Sequence, residues 1–440
     1  MRKKILSSLF IVISLNAADL KTTLNEVIST NPIIQKSLQN YNASKEEIGN
    51  AQSGYYPKLD LNLGAGYEKT QKSNQAGDTD KQYNFTVYQN SLKYTQNLFN
   101  GFSTTNLVQE QKYNTLAAAY SYIEKVNNTS FDLVNAYLEL MKNHELLETA
   151  QENVQINADI LGKVKKLYKS GFTTLSEVNK IESSLALAKS NFVVQENNIL
   201  DKSFALERLL GHSLEIDSMS KPKMNILIPN TKDDVVKFAM QNNPSLLISE
   251  FNKKVAEATN KEKKANYYPK LDIEISQSMN KNLSGVEGNN DAFRAMAYLS
   301  YNIFNGFSDK YTIAKSLHQI EQENQNIDTT KRKIFETINT AWASNKKLQE
   351  QLTDLKDYNK FSVQTLDLYR KEYALGQRSL LDLLSSQNDL IRSKEQIINT
   401  NYSILYAKYR LLDAMSILVT SILDNNQVYS HVGLEKKGKL

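Results

Sequence analysis

Tyr55-Tyr56-Pro57-Lys58-Leu59-Asp60 returns without a change as Tyr267-Tyr268-Pro269-Lys270-Leu271-Asp272, 212 residues later. At the same offset upstream, Asn31-Pro32 matches Asn243-Pro244. Downstream the offset becomes 205: Asn97-Leu98-Phe99-Asn100-Gly101-Phe102-Ser103 matches Asn302-Ile303-Phe304-Asn305-Gly306-Phe307-Ser308, and Tyr168, Gly171 and Leu175 match Tyr373, Gly376 and Leu380. Two blocks kept in one order mean a duplicated chain, and the change of offset places loops of unequal length between them. The sequence divides into a first repeat over 18–212, a connecting segment over 213–231, a second repeat over 232–422 and a tail over 423–440.

Within each repeat the hydrophobic period changes twice. Asn31 and Asn243 precede prolines, as an N-cap precedes Pro at the first helical position, so a helix is expected from each to the double tyrosine. The period then becomes two. Leu59, Leu61, Leu63, Ala65 and Tyr67 alternate with Asp60, Asn62, Gly64, Gly66 and Glu68, and Leu271, Ile273, Ile275 and Met279 alternate with Asp272, Glu274, Ser276 and Ser278. Polar tips at 69–82 and 280–291 separate these strands from returning ones through Tyr83, Phe85 and Val87 and through Ala295, Ala297, Leu299 and Tyr301. One hairpin is expected per repeat, at about 57–99 and about 269–304.

From Ser103 and Ser308 the pattern is helical. Leu147, Ala150, Val154, Asn157, Leu161, Val164 and Tyr168 step by three and four, and Leu352, Leu355, Asn359, Ser362, Leu366, Tyr369 and Tyr373 keep the same phase. A sustained seven-residue repeat implies helices supercoiling on neighbours. Gly171 and Gly376 break the stripe and it resumes beyond them, giving long helical hairpins at 103–210 and 308–422. A 68-residue outgoing helix would be roughly 100 Å long, far more than a globular core requires.

Four strands do not close a barrel, and an open sheet in hydrocarbon leaves edge groups unpaired at several kcal/mol each. The pattern therefore calls for several chains sharing one barrel; three would supply twelve strands, a number within the outer-membrane range. The apolar face would meet lipid, with Asp60, Asn62, Glu68, Asp272 and Glu274 facing water. Tyr55, Tyr56, Tyr267 and Tyr268, with Phe99 and Phe304 at the opposite strand ends, would lie at the membrane boundary. A soluble antiparallel sheet with one solvated face gives the same alternation.

Composition narrows the class. With 6 Pro and 15 Gly in 440 residues and a mean hydropathy of −0.49, long helices with narrow apolar stripes are favoured over several globules. The absence of cysteine excludes disulfides and thiolate chemistry. The formal charge is +5, three units of it from Arg2, Lys3 and Lys4, and no basic block precedes Lys436, Lys437 and Lys439, which excludes a phosphate-held nucleic-acid binder. Residues 1–17 have a basic start, an apolar run and small residues around Ala17, the layout of a secretory signal peptide. An N-terminal anchor is the alternative, but the run is shorter than the roughly 20 residues a spanning helix needs.

The ordered set of helix, Tyr-Tyr-Pro-Lys-Leu-Asp, strand, Gln96-Asn97-Leu98-Phe99-Asn100-Gly101-Phe102, long helix and Tyr373-Ala374-Leu375-Gly376-Gln377-Arg378-Ser379-Leu380-Leu381-Asp382-Leu383-Leu384 resembles the TolC-type outer-membrane efflux and secretion channel family over about residues 19–423. The resemblance implies a mainly α protomer with transmembrane β-strands, trimerising into a twelve-stranded barrel and a periplasmic α-helical tunnel. It implies a homotrimer in the outer membrane of a Gram-negative bacterium, in contact with lipid, a periplasmic adaptor and an inner-membrane transporter, with no enzymatic activity and no cofactor. It assigns a periplasmic gate to Tyr373, Arg378 and Asp382 with Ser176 and Glu177, and adaptor docking to the turns at Gly171, Leu175, Gly376 and Leu380. Glu177 stands where the family commonly has Asp, and Ser385 where some members carry a second inward aspartate. The segments Ser53-Gly54-Tyr55-Tyr56-Pro57 and Leu98 to Phe102 look more like members serving type I protein secretion than like drug-efflux members. A periplasmic coiled-coil adaptor that never enters a membrane is the competing class; it has no need of two amphipathic hairpins.

Other signals are weaker. His144-Glu145 with Glu148 lacks the second histidine of an H-E-x-x-H metal site. No Walker loop, Gly-x-Ser-x-Gly elbow or paired Ser-Lys motif is present. Trp342 matches Tyr137 across the repeat and reads as a packing residue. No catalytic, metal or cofactor residue is assigned.

Overall fold

The computed structural model describes residues 19–72, 81–221, 228–425 and 427–434. The expected signal peptide at 1–17, most of the first hairpin tip, part of the connecting segment and the basic end of the tail lie outside the described residues. The chain divides into two compact units, one made of the residues up to Leu38 with Tyr122–Pro244 and Lys331 onward, the other of Gln39–Ser121 and Ser245–Thr330.

The second unit holds a four-stranded antiparallel sheet in the order β1 (Lys58–Lys72), β2 (Lys81–Asn100), β3 (Lys270–Lys281) and β4 (Asn289–Ser300). Its register keeps the repeat: Lys58 lies opposite Thr95, and Lys270 opposite Ser300. One face carries Leu59, Leu61 and Leu63, and these are 67%, 65% and 72% exposed. Because side chains alternate across a sheet, pairing decides which β2 residues join them. Leu59 is opposite Tyr94, Leu61 opposite Leu92 and Ala65 opposite Tyr88, whereas Phe85 is opposite Glu68 and Val87 opposite Gly66. The expected apolar row of β2 through Phe85 and Val87 is therefore on the polar face, and the even-numbered residues from Tyr88 carry the apolar one. In β4 the expected row is the apolar one, with Ala295, Ala297 and Leu299 opposite Ile275, Ile273 and Leu271.

On the polar face, Asn97 donates its Nδ2–H to Asp272 Oδ1 at 2.7 Å, and Lys93 Nζ lies 2.6 Å from Glu274. A bulge at Leu98 shifts β2 by one residue before Phe99 meets Leu271. The strand then turns through Gly101 and Phe102, both left-handed. A Cβ at Gly101 would fall 2.4 Å from the Ala265 carbonyl oxygen, so this close approach admits only glycine.

The elements outside the sheet are helical, and they belong to both units. α1 (Leu20–Thr30) is N-capped by Asp19, whose Oδ1 accepts from Thr22 N at 2.7 Å. Asn31 caps α2 (Pro32–Gln52), accepting from Ile33 N at 2.9 Å. The long hairpins are α3 (Ser103–Lys169) with α4 (Leu175–Leu210), and, after α5 (Lys232–Asn242) and α6 (Pro244–Lys263), α7 (Ser308–Ala374) with α8 (Leu380–Ala414). α8 does not reach the expected 422. It ends at Ala414 because Ser416 is left-handed, and Ser416 N and Ile417 N donate to the carbonyls of Asp413 and Leu412. α9 (Leu418–Leu423) and α10 (Gln427–Ser430) follow, burying Leu418, Val419, Val428 and Tyr429. The described part of the connecting segment packs on α3: Tyr137 donates to the Ser220 carbonyl at 2.6 Å, and Lys221 lies 2.8 Å from Glu145. No described helix is long and apolar enough to cross a membrane.

Candidate functional site

The two helical turns close the ends of the long hairpins, in the unit made of the residues up to Leu38 with Tyr122–Pro244 and Lys331 onward. After α3, Phe172 N reaches back to the Leu167 carbonyl and Gly171 N to Tyr168, with Gly171 left-handed. After α7, Gln377 N reaches Glu372 and Gly376 N reaches Tyr373, with Gly376 left-handed. Each is a glycine-terminated helix end of the kind that satisfies the last carbonyls. α8 then starts on a Ser379 cap, whose Oγ accepts from Asp382 N at 3.1 Å and donates to the Asp382 carboxylate at 2.8 Å.

The turns rest on one apolar cluster in which Ile160 and Val164 of α3, Val178 and Ile181 of α4, Leu366 of α7 and Leu380, Leu383 and Leu384 of α8 are buried. Tyr369 and Tyr373 pack against its edge. Polar ties add to it: Lys165 lies 2.7 Å from Glu182, Lys394 2.6 Å from Glu152, and Gln387 donates to Asn153 Oδ1 at 3.0 Å.

Against this floor a cavity of about 860 Å³ opens, lined among others by Lys163, Lys166, Glu177, Arg370, Tyr373 and Arg378. Three of the five expected gate residues, Glu177, Tyr373 and Arg378, share it. Burial pushes the Tyr373 hydroxyl above its ordinary range, and the Glu177 carboxylate adds to the shift. Glu177 accepts from the Thr173 hydroxyl, and the Thr174 and Ser176 hydroxyls meet at 2.8 Å.

Arg378 does not pair with Asp382. Its Nε and Nη2 lie 2.9 and 2.8 Å from Glu372 Oε2, and the guanidinium stacks over the Tyr369 ring at 4.2 Å from the centroid. Asp382 is occupied by its cap. Glu372 and Tyr369 are thus site residues that sequence reasoning missed; a helix-spacing search from Arg378 looks forward four residues and passes over a partner six residues back across a glycine turn. Of the expected docking residues, Gly171, Gly376 and Leu175 lie at the turn surface, but Leu380 is 2% exposed and belongs to the core. That burial removes Leu380 from any surface the turn presents in this conformation. Phe172 and Leu375 are the most exposed apolar residues of the turns, at 81% and 72%.

The expected boundary aromatics gather in the sheet unit. Tyr55 donates to Thr105 Oγ1 at 3.1 Å, and Phe99, Phe102 and Tyr268 form an edge-to-face triad. Tyr56, Tyr267 and Phe304 are exposed. Among the described residues no cluster of His, Asp and Glu is arranged to hold a metal, and the nearest approach of His144 to Glu148 is 3.9 Å.

A profile described as outer membrane efflux protein matches residues 23–212 and 235–416, both repeats. The chain belongs to the outer membrane efflux protein family. It is accordingly an outer-membrane channel protein that extends into the periplasm, and not an enzyme. This family member is similar to the outer membrane efflux protein BepC of Brucella suis biovar 1 (strain 1330), 21% identical over 345 residues that span 78% of this chain and 73% of that one. It is also similar to the outer membrane protein TolC of Escherichia coli (strain K12), 19% identical over 390 residues covering 84% and 76%. Among solved structures, the Campylobacter jejuni CmeC outer membrane channel superposes with a TM-score of 0.80 at 14% identity, covering 94% of this chain and 90% of that one. The outer membrane protein VceC of Vibrio cholerae gives 0.77 at 16%, covering 90% and 96%. At such identities the structural likeness establishes the fold: long helices joined to a few membrane strands.

Proposed function

We propose that this efflux-family chain works as a homotrimeric exit duct of a tripartite export system, together with a periplasmic adaptor and an inner-membrane transporter. The observation that carries the reading is the four-stranded sheet with an exposed leucine face and, among the described residues, two open edges. Lipid suits the face and a second copy suits the edges, whereas an adaptor that stays in the periplasm needs neither. The duct is passive. Cargo and energy come from the partners, and the turns holding Tyr373, Arg378 and Asp382 with Ser176 and Glu177 act as its periplasmic gate. The adaptor docks on the same turns around Gly171, Leu175 and Gly376, where Phe172 and Leu375 offer apolar contact.

For the cargo we favour protein delivered by a type I secretion pump over small drugs, on the likeness of Ser53 to Pro57 and Leu98 to Phe102 to secretion members. The test is planar-bilayer conductance of the purified protein with its mass in detergent. A trimer of small, mostly closed conductance is expected; a monomer soluble without detergent and carrying no current overturns the reading. Deleting the gene and finding normal export of an adjacent type I substrate, with raised drug sensitivity, would reverse the choice of cargo.

A further inference from the structure

Among the described residues the sheet ends on two unpaired edges, β1 and β4, and the internal repeat specifies what each edge is shaped to meet. Inside the chain the outgoing strand of the first repeat lies beside the incoming strand of the second. Asn97 is opposite Asp272, Gln96 opposite Ile273 and Phe99 opposite Leu271, with Leu98 bulged between them. β2 is the repeat equivalent of β4, and β3 of β1. The same junction is therefore available once more, between β4 of one copy and β1 of another, four strands being too few for a chain to close on itself.

We infer that neighbouring copies join through a β4–β1 seam of one fixed register, in which Asn302 stands opposite Asp60 of the neighbouring copy, Tyr301 opposite its Leu61 and Phe304 opposite its Leu59, with Ile303 bulged. The inference rests on the trimeric-duct reading and adds to it the strand pairing and the side chains that meet.

Features not used to derive the register agree with it. It sets Arg294 directly opposite Glu68 of the next copy, although the in-chain counterparts, Gln89 and Asn280, are uncharged. Opposite charges at directly facing positions stabilise a pair, and a slip of one residue would set Arg294 against Tyr67 or Lys69 and turn every apolar side chain to the wrong face. Below the strands, Thr259 donates to Glu110 at 2.9 Å. The repeat equivalents of these two residues are Glu47 and Lys315, so the seam replaces a hydroxyl–carboxylate hydrogen bond by an ion pair. At the corner, Phe99 and Phe102 meet edge to face at 5.2 Å and 89° and rest on Tyr268. Phe304 and Phe307 hold the same arrangement at 5.4 Å and 89°, and their counterpart partner is Tyr56 of the next copy. Lastly, β4 ends at Ser300, although Asn305 is the equivalent of the last residue of β2; pairing along the seam extends β4 by those residues.

The chain has no cysteine, so introduced thiols are the only ones present. The experiment compares Asn302→Cys/Asp60→Cys with the same-face slips Asn302→Cys/Asn62→Cys and Asn302→Cys/Lys58→Cys in the full chain, under mild oxidation, by non-reducing electrophoresis beside the mass in detergent. Covalent dimers and trimers forming several-fold faster in the Asp60→Cys variant are expected. Faster crosslinking of a slipped pair in a trimer overturns the register alone, and a monomeric mass overturns the trimeric reading and the seam with it. Lys315→Cys/Glu47→Cys, joined by a short bis-maleimide, repeats the test on the helices should the strand variants fail to insert. A trimer in which that pair stays unlinked also overturns the seam.

Discussion

Arg378 is held by Glu372 within its own hairpin: Nε and Nη2 both point at Glu372 Oε2, at 2.9 and 2.8 Å, across the left-handed Gly376. The guanidinium therefore bridges the last turn of α7 to the residue before the α8 cap, and it lies flat on Tyr369 while doing so.

If this pair keeps the turn in its closed shape, Arg378→Ser and Glu372→Gln should each raise closed-state conductance in planar bilayers, and the double variant should leak no more than the worse single one. Additive increases would mean that the two residues act independently. Unchanged conductance in Arg378→Ser would remove the gate assignment.

The two turns are not equivalent in packing. Leu380, the first residue of α8, is buried in the apolar cluster, whereas Leu175, its repeat partner at the start of α4, is 53% exposed. Leu380→Ala should cost about 2–5 kcal/mol by leaving a cavity under Tyr369 and Tyr373, and Leu175→Ala should stay within about 0.5 kcal/mol. Denaturant midpoints in detergent measure the difference. In adaptor binding the order should reverse, with Leu175→Ala losing more affinity than its small stability change accounts for.

How much of this was legible in the sequence depends on how many faces a segment shows. β1 has one apolar parity, and its alternation is plain from Leu59 to Tyr67. β2 has large apolar residues on both parities, Phe85 and Val87 on one and Tyr88, Leu92 and Tyr94 on the other, so only pairing with Leu59 and Leu61 decides which row joins the apolar face. The glycine turns at 171 and 376 were readable because left-handed helix ends favour glycine. The partner of Arg378 was not, because the turn brings together residues that no helical period relates. The early end of α8 was equally hidden, since Ser416 carries no breaker signal and its left-handed backbone is held by tertiary packing.

Asn31 and Asn243 tie the start of one helix to the end of another. Asn31 Nδ2 donates to the Leu209 carbonyl and Asn243 Nδ2 to the Ala414 carbonyl, both at 2.9 Å, and both asparagines are nearly buried. Asn31→Ala removes an N-cap and leaves a buried carbonyl short of a donor, for an expected loss of about 1–3 kcal/mol. Asn31→Asp keeps the cap but loses the donor. A smaller loss for Asp than for Ala would show that capping dominates, and equal losses that the bond to Leu209 does.

Asp413, in the last turn of α8, supplies the pH prediction. Burial raises its carboxyl to about 7; Arg410 opposes the shift, while Asp132 and Glu124 add to it. The folded chain thus holds a proton that the unfolded chain has already released above the ordinary carboxylate range. The stabilising contribution is complete below about pH 4 and is lost as the pH rises towards 7. Asp413→Asn cannot ionise and should remove that slope. In urea unfolding the variant should gain on the parent between pH 5 and pH 8, with the gap levelling off above the folded pKa. A constant gap across that range would mean that Asp413 is ionised throughout, its charge balanced by Arg410 more fully than burial opposes it.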